Sequence, residues 1–82
     1  MKTIVEIHVE WDNNFCACPT NDAVCCAVVG DSIAEVKTDM AEALPMHVEC
    51  MQRNGDTVPE EFLGDYELMY VLTPQALLKS IQ

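Results

Sequence analysis

The sequence predicts an α+β fold, in which a small sheet of about four strands packs against one long helix. Alternating residues at the start of the chain are typical of a half-buried strand, and residues 66–72, YELMYVL, are rich in strand-favouring side chains. Between them, apolar residues recur at spacings of three and four from residue 33 to residue 51, as on one face of a helix. We therefore expect one small domain, residues 1–82, with the element order β-β-β-α-β-α.

The first part of the chain is predicted to form three strands joined by short loops. Turn residues 12–14 lead from the first strand into a short second one, residues 15–18. The apolar run 23–29, bounded by turn residues, indicates a third strand, which we expect to lie closer to the centre of the sheet than the second. Such consecutive strands pair as an antiparallel meander. The first strand carries Val5, Ile7, Val9 and Trp11 on one face.

The long helix has clear start and stop signals. Ser32 and Glu35 form an S-x-x-E capping box, in which Ser32 accepts from the backbone N–H of Glu35 and the Glu35 side chain reaches back to Ser32. Asn54 and Gly55 predict the end, because glycine adopts the left-handed conformation without strain. Pro45 is expected to kink the helix without breaking it, because the apolar spacing continues beyond it. The stripe predicted to face the sheet is Ile33, Val36, Met40, Leu44, His47 and Met51.

The last segment is predicted to form a fourth strand and the start of a second helix. Thr73 is the expected N-cap and Pro74 the first helical residue. Because this helix has barely one set of apolar positions, we expect residues 73–82 to lead into a longer chain. The fourth strand carries Tyr66, Leu68, Tyr70 and Leu72 on one face, and the helix carries Leu77, Leu78 and Ile81.

The composition is strongly acidic. Fourteen acidic residues against four basic ones give a formal net charge of −10. The phosphate backbone repels such a surface, so we expect no direct binding of nucleic acid, and a basic protein is the natural complement. No run approaches the roughly 20 apolar residues needed to span a bilayer, so we expect no membrane association. Five cysteines, an odd number, without a secretory leader indicate reduced thiols and a cytoplasmic location.

The spacing of the cysteine and histidine residues gives little support for a metal, redox or nucleophilic site. The C-x-C pair at residues 16–18 and the C-C pair at residues 25–26 could be drawn as a thiol metal or redox site. Structural zinc favours C-x₂₋₄-C spacing instead, so we interpret these cysteines as small core or strand-surface residues. A nucleophilic cysteine paired with His8 or His47 would need an electropositive pocket, and the chain has four basic side chains.

Carboxylates on the predicted sheet and helix suggest a metal-dependent nuclease as an alternative. Glu6, Glu10 and Glu67 lie on predicted strands. A nuclease site would need them to converge with Asp39 or Glu42 of the helix, within metal-coordination distance. The helix acids are predicted to point away from the sheet, so we interpret all of them as a solvated acidic surface and predict no metal and no cofactor.

The element order and two motifs resemble the HicB family of antitoxins. Residues 30–36, GDSIAEV, open the helix, residues 41–51 continue it, and residues 54–60, NGDTVPE, are similar to the family's x-G-x-x-[IV]-P-x exit. The resemblance covers residues 1–72. It implies a partial RNase H-like fold without nuclease residues, and therefore no enzymatic activity.

By this resemblance, the chain is a non-catalytic antitoxin module that binds and neutralises a small basic HicA-type toxin, an mRNA-cleaving ribonuclease. The resemblance also implies a homo-oligomer and a separate C-terminal DNA-binding domain in a longer autorepressor. An orphaned family member that binds another protein is a further alternative. The acidic helix face and the loop after it are the expected site, with partner-binding residues Glu35, Asp39, Glu42, Glu49, Glu60, Glu61 and Asp65.

Overall fold

The computed structural model describes residues 2–81 and confirms the predicted α+β fold, a four-stranded sheet with two helices, one of them long. No helix within this range is long and apolar enough to cross a bilayer. In chain order the elements are β1 (Thr3–Trp11), β2 (Phe15–Pro19), β3 (Val28–Gly30), α1 (Ile33–Arg53), a single 3-10 turn (Glu60–Phe62), β4 (Tyr66–Leu72) and α2 (Pro74–Ser80).

The sheet is mixed, with the strand order β3-β2-β1-β4. The first three strands pair as the predicted antiparallel meander. β4 joins the other side of β1 in parallel, with Thr3 paired to Tyr66 and Val9 paired to Leu72. Because a parallel pair requires a crossover connection, α1 and the loop after it carry the chain from one edge of the sheet to the other.

The third strand is shorter than predicted and lies elsewhere in the sheet. It covers Val28–Gly30 instead of residues 23–29, and it lies at the edge, so the expectation that it is more central than β2 was wrong. Hydrogen bonds to Asn21 explain why β3 starts at Val28 and not at residue 23. Its side chain accepts from the backbone N–H of Ala23 at 2.9 Å, and its carbonyl accepts from the N–H of Val24 at 3.1 Å. This segment therefore forms a turn and cannot pair with β2.

The core lies between α1 and one face of the sheet, and alternate residues of β1 face it as predicted. On α1, every fourth residue is buried, and Val48 takes the place predicted for His47, which is half-buried. The i±4 row forms a continuous ridge on a helix, which accounts for this spacing. The side chains of the buried hydrophobic core are Val5, Ile7, Val9, Phe15, Ala17, Val24, Cys26, Val36, Met40, Leu44, Val48, Phe62 and Ala76.

The ends of α1 follow the sequence signals with one difference. The Ser32 hydroxyl accepts from the backbone N–H of Glu35 at 3.1 Å, as predicted. The Glu35 carboxylate, expected to reach back to Ser32, instead accepts from the N–H of Asp31 at 3.3 Å. Gly30 permits this arrangement, because a Cβ there would lie 3.1 Å from the Glu35 side chain. At the other end, Gly55 follows the cap with a φ of 79°, as predicted.

Replacing Ser32 with alanine should lower the free energy of unfolding by about 1 kcal/mol, because the N–H of Glu35 loses its acceptor. Urea unfolding followed by circular dichroism measures the change. Thr38→Ala, on the exposed surface of the same helix, is the matched control, since it removes no cap and slightly favours the helix. Equal stability of the two variants would show that the cap contributes nothing.

Pro45 does not break α1, which continues to Arg53. Proline has no N–H, so the carbonyl of Ala41 lacks its usual helical partner. Leu44 and Val48 are both buried on either side of it, and this packing holds the two halves of the helix on the sheet.

The second helix begins at the predicted residues, but its buried residue is not one of the apolar residues predicted to be its apolar positions. The Thr73 hydroxyl accepts from the N–H of Ala76 at 3.2 Å, and Pro74 occupies the first turn. Only Ala76 of this helix is buried. Its larger apolar residues remain exposed, namely Leu77, Leu78 and Ile81.

Candidate protein-binding surface

The outward surface of α1 carries the helix acids predicted to bind a partner. Glu35, Glu42 and Glu49 are exposed, and Asp39 is half-buried. Glu35 is engaged at the helix start, and Glu49 forms an ion pair with Arg53, with 2.6 Å between Oε1 and Nη2. Within residues 2–81, Asp39 and Glu42 form no ion pair. These two carboxylates are therefore the acids of this surface most available to a basic partner.

Asp39 and Glu42 border an open groove between α1 and β3, of about 410 Å³. The rest of its lining is apolar, and it includes Met46, which is 69% exposed. Within residues 2–81, β3 pairs only with β2, so the other side of its backbone is open along this groove. We call this feature the β3–α1 groove, and its lining residues are Val28, Val29, Asp39, Glu42, Ala43 and Met46.

The acids that follow α1 lie elsewhere. Glu61 accepts a hydrogen bond from the side chain of Asn21 and lines a separate cavity beside β1. Glu60 is exposed in the 3-10 turn, and the backbone carbonyl of Asp65 accepts from the N–H of Thr3. None of these acids lines the β3–α1 groove. The predicted partner-binding residues therefore do not form one site, and the groove brings together only two of them.

The face of the sheet opposite α1 is open and mixes acidic with apolar side chains. Its carboxylates are separated by the sheet from those of α1, so the acids considered for a nuclease do not converge. Among residues 2–81, no group of three or more His, Cys, Asp or Glu side chains is arranged to hold a metal ion. Side chains on this open face include Ile4, Glu6, His8, Glu10, Cys16, Cys18, Glu67, Met69 and Val71.

Cys18 on the open face and Cys26 in the core lack the environment of a nucleophile. Cys18 lies opposite His8, and Cys16 lies opposite Glu10, in the pairing of β2 with β1. Burial raises the pKa of the Cys18 thiol, and the nearby Cys16 and Glu10 raise it further. Burial also raises the pKa of Cys26. Because a reactive cysteine needs a lowered pKa, these two thiols stay protonated and weakly nucleophilic at neutral pH.

Sequence reasoning identified the acids of the β3–α1 groove but missed its apolar part. The sequence predicts Val28 and Val29 in a strand closer to the centre of the sheet than β2, and the structure places them at the sheet edge. Met46 is the residue from which the apolar part of the groove could have been predicted. It is a large apolar residue at a position otherwise surrounded by the acidic residues of the outward surface, and it lies between Glu42 and Glu49 in sequence.

No protein-family model, curated protein or solved structure matches this chain. Conclusions about its function therefore depend on its own surfaces and on the sequence motifs at the two ends of α1.

Proposed function

We propose that the protein is a non-catalytic, antitoxin-type module that acts in the cytoplasm by binding and neutralising a small basic protein. The motifs at residues 30–36 and 54–60, which resemble HicB antitoxins, favour an mRNA-cleaving toxin of the HicA class as that protein. The observation that carries the proposal is the β3–α1 groove, in which two carboxylates that form no ion pair within residues 2–81 border an apolar lining with the exposed Met46.

The groove suits a basic segment that also carries apolar residues. A lysine or arginine of the partner can pair with Asp39 and Glu42, and the apolar lining beside them reduces the exposure of that ion pair to water. Met46, which is exposed, offers apolar area to the neighbouring residues of the partner. The open backbone of β3 can accept an extended segment by strand addition.

The overall charge supports the same partner. A ribonuclease needs a basic surface to hold the phosphates of RNA. A protein of net charge −10 attracts that surface at long range and competes with RNA for it. Inhibition then follows from occupation of the RNA-binding surface, with no chemical step.

Asp39→Lys combined with Glu42→Lys should weaken binding of the basic partner by about 10- to 100-fold, since both favourable ion pairs become repulsive. The partner to use is the small basic protein encoded by the neighbouring reading frame. Isothermal titration calorimetry measures the affinity, and a growth assay with co-expression measures neutralisation. The affinity of the unaltered protein should fall as salt is raised.

Asp12→Lys combined with Asp56→Lys is the matched control, because it changes the net charge equally at exposed residues outside the groove. An equal loss of affinity in the two double variants would attribute binding to net charge and remove the groove from the proposal. Absence of any complex between the unaltered protein and its basic neighbour would overturn the antitoxin proposal itself.

A further inference from the structure

Two thiols occupy neighbouring positions on the open face of the sheet, on the other side of the sheet from α1. Cys16 and Cys18 alternate along β2 with the buried residues Phe15, Ala17 and Pro19, so both side chains point to the open face. Positions two apart on a strand are roughly 6.5 to 7 Å apart at Cα. Strand residues commonly adopt either of two χ1 values, so the two sulfurs can turn toward each other. The pair can therefore supply two ligands to one small ion.

The charges around this pair favour a positive ion. On β1, His8 lies opposite Cys18, and Glu10 lies opposite Cys16. Burial is the main cause that raises the pKa of the Cys18 thiol. The charges of Cys16, Glu10 and Asp22 raise this pKa further, which shows that negative potential converges on the sulfur. A cation bound there removes the repulsion, and a thiol that coordinates a metal ion loses its proton.

The number of available ligands decides which ion fits. Structural zinc takes four ligands. Within residues 2–81, no group of three or more His, Cys, Asp or Glu side chains is arranged to hold a metal ion. Cu(I) is a soft ion that selects thiolates, and two thiolates in a line satisfy it. Two metal–sulfur bonds of the length known for zinc span about 4.6 Å, a separation within reach of two sulfurs turned toward each other.

We propose that Cys16 and Cys18 bind one Cu(I) ion between their sulfurs. Each thiol releases its proton to the solvent as its copper–sulfur bond forms, so two protons leave for each ion bound and no electron is transferred. The net charge of −10 attracts the cation to the protein at long range. This site lies outside the β3–α1 groove and does not depend on the proposed function.

Competition with bicinchoninate, whose Cu(I) complex absorbs visible light, tests the site on the full chain under anaerobic, reducing conditions. We expect the protein to remove one Cu(I) ion per chain from the complex. Cys16→Ser and Cys18→Ser should each lower the affinity by about 100-fold or more, since loss of a ligand costs at least as much as loss of a ligand's hydrogen-bond partner. X-ray absorption of the loaded protein should show two sulfur neighbours around copper.

Cys25→Ser combined with Cys50→Ser is the matched control, because it removes two other exposed thiols and should leave the affinity unchanged. Asp39→Lys with Glu42→Lys should also leave it unchanged, so the copper site and the proposed function can fail separately. Circular dichroism checks that each variant folds.

Three results would overturn the proposal. The first is a protein that removes no Cu(I) from bicinchoninate. The second is an equal loss of affinity in the control variant, which would show that exposed thiols bind copper without a defined site. The third is Zn(II) bound as tightly as Cu(I) in a parallel competition, which would show a site with more than two ligands.

Discussion

Replacing Leu44 with alanine should lower the free energy of unfolding by about 2 to 5 kcal/mol, a large part of the total stability of the protein. Leu44 is fully buried, in the middle of the ridge of α1 that faces the sheet, between Met40 and Val48. Its loss removes apolar burial and leaves a cavity that a closely packed core fills only in part. A domain of this size has few such residues, and its total stability is of the order of 5 kcal/mol or slightly more.

Urea unfolding monitored by circular dichroism measures the Leu44→Ala effect. The matched control is Met46→Ala, two residues further along the same helix and 69% exposed, which should change stability by less than about 0.5 kcal/mol. Comparable losses in the two variants would contradict the placement of Leu44 in the core.

Pro45→Ala should act in the opposite direction and raise the free energy of unfolding by about 1 to 3 kcal/mol. The alanine supplies an N–H to the carbonyl of Ala41, and it removes a proline whose cost inside a helix is about 3 kcal/mol. The unfolded chain gains flexibility, which offsets up to about 1 kcal/mol. Pro45 is exposed, so no core contact is lost.

Pro74→Ala is the control for this prediction. Pro74 occupies the first turn of α2, where a backbone N–H has no helical partner, so its replacement should have little effect. Thermal unfolding of both variants gives the comparison. A Pro45→Ala protein that is less stable than the original would show that the proline is needed to seat Leu44 and Val48 together on the sheet.

Much of the fold was predictable because its signals are local. The alternation of Val5, Ile7 and Val9 and the Ser32 cap each depend on neighbours within a few residues, and the structure confirms both. The position of β3 was not predictable in this way. The sheet order depends on the pairing of β1 with β4, far along the chain, and on an Asn21 turn that holds the apolar run after it outside the sheet.

In the candidate site too, the part set by local sequence spacing was predictable, and the part set by contacts between distant residues was not. Helical spacing placed Asp39 and Glu42 together on the outward surface, and they do border one groove. The acids after α1 were grouped with them on charge alone. The crossover carries Glu61 to a different cavity beside β1, and β3 supplies apolar lining that no helical pattern contains.

The parallel pairing of β1 with β4 also determines when the protein can finish folding. The paired residues, such as Thr3 and Tyr66, lie about 60 positions apart, and contacts between distant residues slow folding. During synthesis, β1 can pair with β2 early, but its other edge stays unpaired until residue 72 has left the ribosome. Until then the nascent chain exposes an apolar strand edge, the feature through which partly folded proteins aggregate. Early binding of that edge by a chaperone would protect the chain until β4 arrives.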